Sequence, residues 1–223
     1  MQMYKLYHYS LCPFSRMIRF ILNEMQLEYI LIEEKFWEYD EQFLQMNPAG
    51  TVPVMITKNG DVLNHSHLIL DYLLETYKPT FLFPEGNNKL ETKKILLWYT
   101  EKFFLDCTKF FIQEKAVKYF HEKAQPNTNI LGMARYNLGI HFDYTTYLLE
   151  QNTWLGGEKF SIADIAAATQ LSSLDFLGEV QWSKIPQIKD WYSIVKSKPS
   201  FRPLLKERIA GILTPQHYTN LDF

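Results

Sequence analysis

The first 77 residues change between the alternating hydrophobic pattern of strands and the spacing typical of helices. Residues 4–9 alternate and are rich in aromatic side chains, which predicts a strand, and residues 28–34 predict a second one. Between them, apolar residues recur at helical spacing, which predicts a helix: Phe14, Met17, Ile18, Ile21, Leu22 and Met25. Pro13 suits the first position of that helix, because the N–H that proline lacks has no partner there.

The same domain continues with shorter elements. The Asn59-Gly60 pair between two apolar segments is typical of a β-hairpin turn, and Ser66 is expected to cap a helix that runs to residue 77. The remaining predicted elements are a helix over residues 40–46 and strands over residues 52–56 and 61–64. The resulting order, βαβαββα, describes a compact domain over residues 1–78.

The hydrophobic pattern after residue 78 is helical. Residues 79–88 contain two prolines and a polar end, which favours a linker. Long amphipathic helices are predicted over residues 89–123 and 128–151, a capped apolar helix from Ser161, and shorter helices over residues 186–197 and 201–207. We therefore expect an all-helical domain over residues 89–208, followed by a tail over residues 209–223 that has no regular period.

Composition and charge exclude several classes of function. With 47% hydrophobic and 22% charged residues, the chain has the composition of a folded globular protein. Its net charge of −2 gives no reason to propose nucleic acid as a partner. Two distant cysteines fit a reducing cytoplasm and predict no metal site. Residues 1–25 lack the apolar region of a signal peptide and no segment has the length of a membrane span, so we expect a cytoplasmic protein without membrane insertion.

Residues 47–56 contain the most informative turn of the first domain. Pro48 and Gly50 predict a turn, and Pro53 opens the strand that follows. A cis Val52–Pro53 bond would direct the polar backbone groups of Val52 out of the sheet, where they could pair with an extended peptide. An ordinary strand start after a turn is the alternative interpretation. Val52 and Pro53 are therefore candidate ligand-binding residues.

Several motifs together resemble the glutathione S-transferase (GST) superfamily. They are Cys12-Pro13-Phe14-Ser15, Asn47-Pro48-Ala49-Gly50-Thr51-Val52-Pro53, the helix start at residues 66–73, and Ser161-Ile162-Ala163-Asp164 before Ile165-Ala166-Ala167-Ala168. The resemblance covers the whole chain and implies the GST fold, an α/β thioredoxin-like domain followed by an all-helical domain. It says less about activity, because one fold can host many functions.

The resemblance implies that a thiolate-stabilising residue stands at the end of the first strand. Tyr7, Ser10 and Cys12 are all candidates for that catalytic role, and Phe14 adjoins them in the candidate glutathione site. Cys12 directly precedes a helix, so we expect the helix dipole to lower its pKa. Because no second cysteine stands at Ser15, the chemistry would be monothiol transfer through a mixed disulfide with glutathione. A part-buried cysteine without a role is the alternative.

The start of the third helix is a second candidate subsite for glutathione. The resemblance implies an acidic residue before the capping serine, where it pairs with the γ-glutamyl amine. His65 stands there instead, and an imidazole cannot replace a carboxylate opposite an ammonium group, whereas Ser66 keeps its helix-terminal amides for a carboxylate. His65 and His67 are not expected to face one another as metal ligands. We expect no cofactor, and glutathione stays open as a substrate or ligand.

A narrower resemblance rests on three segments of the chain. Residues 11–16, 199–205 and 217–223 look like those of GST-like bacterial cell-division proteins that bind FtsZ, the tubulin-like division GTPase. This resemblance implies a division function without established glutathione transfer. The residues assigned to partner binding are Trp37, Glu114, Arg202, Lys206, Arg208, Leu221, Asp222 and Phe223. GSTs usually form homodimers, so a second copy of the chain is a further expected partner.

Two features of the residues themselves favour a protein partner. Residues 35–39 place three aromatic side chains in a charged loop, where we favour Trp37 as a contact residue over a glutathione-pocket wall or a dimer contact. Residues 184–208 carry seven basic residues against two acidic ones, a face that would attract an acidic partner if these lysines are more than solvated side chains. The tail is too apolar for disorder and is expected to lie along the helical domain or on a partner. Two function classes stay open, a non-catalytic FtsZ-binding division protein and a glutathione transferase that uses Cys12.

Overall fold

The computed structural model describes residues 3–221, which divide into two compact units between Pro79 and Thr80. The first unit has the predicted order βαβαββα, with one short 3₁₀ turn added. Its elements are β1 (Tyr4–His8), α1 (Pro13–Glu24), β2 (Tyr29–Glu33), the 3₁₀ turn (Phe36–Glu38), α2 (Glu41–Met46), β3 (Val54–Ile56), β4 (Val62–Asn64) and α3 (Ser66–Tyr77). The sequence prediction of an α/β domain is confirmed.

A four-stranded mixed sheet in the order β2-β1-β3-β4 forms the centre of the first unit. β1 runs parallel to β2 and antiparallel to β3, so that Leu6 lies opposite Leu31 on one side and Met55 on the other. Leu6 and Met55 are completely buried. Because β1 is central and α1 follows it directly, the loop between them lies at the carboxyl end of the central strand.

α1 begins at Pro13, as predicted, and Cys12 is its N-cap residue. The residues from Pro13 to Leu22 are buried except for the half-buried Phe14. This buried set includes two arginines, Arg16 and Arg19, which the apolar spacing of the helix did not predict as core positions. Burial of a charged group costs free energy unless charges or hydrogen bonds compensate it. The two buried arginines of α1 therefore need compensating charges or hydrogen bonds from the residues around them.

The second unit is all-helical, as predicted. Its elements are α4 (Lys89–Leu97), a π-helical segment (Trp98–Thr108), α5 (Lys109–Ile112), a second π-helical segment (Gln113–Glu122), α6 (Thr128–Gln151), α7 (Ile162–Phe176), a 3₁₀ turn (Trp182–Lys184), α8 (Pro186–Ser197), α9 (Arg202–Leu205) and a last 3₁₀ turn (Gln216–Thr219). The run over residues 89–122 is continuous, as its apolar spacing predicts. Its π-helical parts are a finding of the structure, because this run contains no glycine or proline to indicate them.

α7 is the core of the second unit, since all fifteen of its residues are buried. The predicted capping box at its start is present: Ser161 accepts from the backbone of Ala163, and Asp164 accepts from the backbone N–H of Ser161 at 3.0 Å. Asp164 also accepts from the Leu155 N–H and from Trp191 Nε1. Burial raises the pKa of Asp164 to about 6 against the effect of these hydrogen bonds. One carboxylate thus joins three parts of the helical unit.

The start of α3 differs from the prediction. Ser66 is the first residue of the helix, and the N-cap is His65, whose Nδ1 accepts from the His67 N–H at 3.2 Å. His65 has a φ of 119°, a region that residues other than glycine rarely adopt. The predicted cap at Ser66 is wrong by one residue, because an imidazole nitrogen here performs the accepting role usually given to serine or aspartate.

Among residues 3–221, no helix combines the length and apolar character required to cross a bilayer.

Candidate functional site

Cys12 lies at the junction of β1 and α1, where the sequence places the catalytic candidate. Its side chain is 8% exposed, and its thiol donates to the Val52 carbonyl across 3.5 Å. The Val52–Pro53 bond is cis. Thus the first unit brings together two motifs that are 40 residues apart in sequence.

The ionisation of Cys12 contradicts the sequence expectation. Burial raises the pKa of the Cys12 thiol above its usual value, although hydrogen bonds from Ser15 and from the backbone N–H of Phe14 lower it in part. The helix terminus is present, but the loss of water around the sulfur outweighs it. A nucleophilic or metal-binding cysteine needs its thiolate form. The expected activation of Cys12 by the helix dipole is therefore wrong for this structure.

The other two catalytic candidates, Tyr7 and Ser10, have different neighbours from Cys12. Tyr7 lies on β1, paired with Ile32 and Val54 on the neighbouring strands, and its ring packs against Phe43 with centroids 5.8 Å apart. Ser10 is half-buried, and its carbonyl accepts from Arg16 Nε at 2.7 Å. Their catalytic roles stay predictions, and the structure gives neither a hydrogen bond to Cys12.

The candidate glutathione residues on the other side of Cys12 form a connected group. The backbone N–H of His65 donates to the Pro53 carbonyl at 3.4 Å, so the start of α3 is joined to the turn before β3. Val52 and Pro53 are buried, Ser66 is 2% exposed, and Phe14 is half-buried. The group contains no acidic side chain, since His65 stands at the predicted position. Their role in glutathione binding stays a prediction.

His65 and His67 lie closer together than the sequence suggested. Their rings stack with centroids 5.3 Å apart, because the non-helical backbone of His65 turns its side chain toward the helix start. The expectation that they do not face one another is wrong. Within the described residues, no group of three or more His, Cys, Asp or Glu side chains is placed to hold a metal ion.

A buried basic cluster beside Cys12 was missed at the sequence level. His8 is 6% exposed at the end of β1, and its Nδ1 has no hydrogen-bond partner. Burial, together with the charges of Arg19 and Arg16, lowers the pKa of His8 to about 3. The neighbouring Tyr9 is also buried, with its hydroxyl unpaired. Arginines at positions 16 and 19 of an otherwise apolar helix face were the available signal.

Trp37 is not presented to solvent, which corrects the expected aromatic contact surface. Its side chain is 6% exposed, and its ring makes an edge-to-face contact with Tyr9 at 4.9 Å. The Phe36 ring makes edge-to-face contacts with both, its centroid 5.0 Å from that of Trp37 and 5.9 Å from that of Tyr9. Of the three aromatics in this loop, Tyr39 is exposed. Trp37 is a packing residue in this conformation because the 3₁₀ turn directs its ring inward.

Glu114 is likewise buried rather than available to a partner. It lies in the second π-helical segment, where its carboxylate accepts from the Asn127 N–H at 2.6 Å and from Lys118 Nζ at 3.1 Å. These bonds lower the pKa of the Glu114 carboxyl against the opposing effect of burial. The assignment of Glu114 to a partner surface is therefore wrong, because the carboxylate already joins two helices of its own unit.

The basic candidates lie on the surface of the second unit. Arg202, Lys206 and Arg208 are exposed, and Arg208 uses one guanidinium nitrogen to bond the Glu207 carbonyl. Lys196, counted in the same basic face, is instead completely buried. The tail lies along its own helical unit as far as residue 220, and Leu221 is half-buried. Asp222 and Phe223 lie outside the described residues.

Comparisons with known proteins match both units. Residues 11–76 match the glutathione S-transferase N-terminal domain and residues 136–199 match the C-terminal domain. FtsZ-localized protein A from Caulobacter vibrioides is 34% identical over 222 residues, with 98% of this chain and 97% of that protein covered.

Two solved structures are similar over the same length. FzlA from C. crescentus is 33% identical, covers 99% of this chain and 100% of its own, and has a TM-score of 0.94. A glutathione S-transferase from Rhodospirillum rubrum is 38% identical with the same coverage and a TM-score of 0.93.

Proposed function

The chain belongs to the glutathione S-transferase family, and on that premise we propose that it is a cytoplasmic division protein that binds FtsZ filaments without transferring glutathione. The observation that carries this proposal is similarity across both units to a protein named for its localisation with FtsZ. A shared fold alone would not support it, because the same fold serves many functions.

The chemistry of the Cys12 site supports a non-catalytic member of the family. Burial raises the pKa of Cys12, and the position expected to hold an acid for the tripeptide amine holds His65. Tyr9, which adjoins this site, has a pKa raised by burial. A buried thiol at Cys12 and an imidazole at the position expected for the acid both support a family member that does not transfer glutathione.

The partner surface that we propose is the exposed basic group on and after α9. Arg202, Lys206 and Arg208 are exposed, and within residues 184–208 the acidic side chains are Asp190 and Glu207. An exposed basic patch attracts an acidic protein surface and raises the rate of encounter. FtsZ filaments repeat one surface many times, so a patch of this kind would bind along the filament.

We expect the chain to act as a homodimer through an exposed apolar stripe on α6. Met133, Tyr136, Ile140 and Tyr147 recur at helical spacing and are all exposed. Contiguous exposed apolar residues are typical of a protein interface, and a second copy would cover the stripe with the same surface in a two-fold arrangement. Two identical partner sites would then join neighbouring filament positions by avidity.

Co-sedimentation with purified FtsZ and GTP tests the proposed function. The wild-type protein is expected to pellet with filaments, and the Arg202→Glu/Lys206→Glu variant is expected to bind about tenfold more weakly because two attractive charges become repulsive. Lys109→Glu/Lys159→Glu is the matched control, since it makes the same charge change at two other exposed lysines. Failure of the wild-type protein to pellet contradicts the proposal.

A glutathione-dependent transferase is the second candidate. It is favoured by one observation, the contact of Cys12 with Val52 beside the start of α3 at Ser66. Calorimetric titration with glutathione separates the two candidates. Micromolar binding of glutathione, combined with no co-sedimentation, would place the enzyme first, whereas pelleting without glutathione binding favours the division protein.

A further inference from the structure

The tail of the second unit is folded into that unit through Tyr218. This side chain is completely buried in the 3₁₀ turn at Gln216–Thr219. Its ring makes an edge-to-face contact with Phe176 of α7 at 5.2 Å, and its hydroxyl donates to the Leu204 carbonyl of α9 at 3.1 Å. The tail therefore lies directly against α9, the short helix that carries Arg202 and precedes Lys206 and Arg208.

A buried lysine holds the backbone of this turn. Lys196 of α8 has no exposed surface, and its ammonium donates to the carbonyls of His217 at 3.3 Å and Asn220 at 2.7 Å. Asp175 Oδ2 lies 4.0 Å from the same nitrogen, and the ring of Tyr192 lies 5.6 Å away. A charged group removed from water needs such acceptors, so the tail carbonyls and Lys196 stabilise each other.

Asp175 connects the same turn to the core from the other direction. Its Oδ1 accepts from Trp182 Nε1 at 2.8 Å and from His217 Nε2 at 2.8 Å. Asp175 is itself completely buried in α7. The tail is thus held by side chains of two helices, through the His217 ring and through the carbonyls of His217 and Asn220.

From this arrangement we propose that Lys196 is a positioning residue for partner binding. It fixes the turn at Gln216–Thr219 beside α9, so that this turn, Arg202 and Lys206 form one surface for an acidic protein segment. The inference rests on the proposed FtsZ-binding function. It adds that the binding surface is assembled by an internal residue that does not itself contact the partner.

The Lys196→Met variant tests the inference, because methionine keeps most of the side-chain volume while removing the charge and all three donors. Hydrogen exchange of the amides of Tyr218 and Asn220, which are bonded to Pro215 and His217, is expected to become about tenfold faster through local opening of the turn. FtsZ co-sedimentation is expected to weaken by a similar factor. Lys159→Met is the control, since this exposed lysine lies away from the turn.

A pH profile separates this role from simple packing. Burial lowers the pKa of Lys196 to about 8, against the charge of Asp175, whereas an opened tail returns the amine to water and its ordinary pKa. Between pH 8 and the ordinary lysine pKa of 10.5, the state with the tail opened binds more protons than the state with the tail in place. The tail is therefore held in place more favourably as the pH rises. We expect protection of the tail amides to increase about tenfold from pH 8 to pH 9.5 in the wild type, and to be flat in Lys196→Met.

The outcomes of these experiments distinguish the inference from the proposed function. Unchanged exchange in Lys196→Met, or faster exchange with unchanged co-sedimentation, overturns the inference. If Lys196→Met does not fold by circular dichroism, His217→Ala replaces it, because the half-exposed imidazole is removable and its loss is expected to shift exchange and binding in the same directions. If the wild type does not pellet, the proposed function fails and the partner role of Lys196 fails with it, whereas the exchange data still decide whether Lys196 holds the tail.

Discussion

Two residues near β1, His8 and Cys12, have pKa values shifted from those usual for their residue types. His8 is held neutral by burial and by Arg16 and Arg19, and Cys12 is held as a thiol by burial. Both effects have the same cause, which is that removal of water disfavours the charged form of a side chain. The sequence shows the residue types, but the pKa of each depends on how much water its neighbours exclude.

The protonation of His8 predicts a pH dependence of stability. The folded pKa is about 3 and the unfolded value is 6.5, so the unfolded chain binds more protons between these values. Stability is then lost as the pH falls below 6.5, by about 2 kcal/mol at pH 5. Urea denaturation of the wild type and of His8→Gln at pH 7.5 and pH 5 measures this effect. Equal losses in the two proteins would contradict it.

At the scale of elements, hydrogen bonds at helix ends determine how the helical unit is joined. Asp164 caps α7 and also accepts from Leu155 and Trp191. The sequence predicts the capping box because its two partners are three residues apart. It does not predict the bond to Trp191, 27 residues away in α8, because that contact forms only when the two helices pack.

Replacement of Asp164 by alanine is therefore expected to destabilise the helical unit by more than the loss of an ordinary helix cap does. Loss of the carboxylate leaves two backbone N–H groups and one indole N–H buried without an acceptor, at a cost of about 3 kcal/mol or more. The free energy of unfolding in urea is the measurement. Asp190→Ala is the control, because that aspartate is exposed on α8. A loss no larger than that of the control would show that Asp164 has no special role.

At the scale of the whole molecule, exposed apolar residues predict the assembly. Four apolar side chains on one face of α6 are exposed, and a globular protein rarely exposes a large apolar surface without a partner. The sequence indicates this helix but not which of its faces is left uncovered. That distinction depends on which neighbouring elements pack against α6.

The Tyr136→Glu/Ile140→Glu variant tests the homodimer that we propose. Two charges in the centre of a two-fold interface meet their own copies, so the variant is expected to be a monomer when its mass is measured by light scattering after gel filtration. Ile194→Glu is the matched control, because Ile194 is an exposed isoleucine on α8. A wild-type protein that is already monomeric, or a variant that stays dimeric, contradicts the proposed interface.

The amino-acid sequence by itself determined the order of elements and the fold class. Periodicity, proline and glycine positions and the capping box act over a few residues, so the helices from Pro13 and Ser161 could be predicted directly. The motifs that resemble the GST superfamily also identify residues that meet at the site. Cys12 and Val52 are both candidates from sequence motifs, and the Cys12 thiol lies 3.5 Å from the Val52 carbonyl.

Only the tertiary structure decided which of these residues are accessible and charged. Trp37, Glu114 and Lys196 are expected from the sequence to lie on exposed partner surfaces, yet all three are buried. Burial depends on elements far away in sequence, such as the tail carbonyls that surround Lys196. Because water is excluded by the packed chain and not by the local pattern, accessibility and pKa follow from the fold.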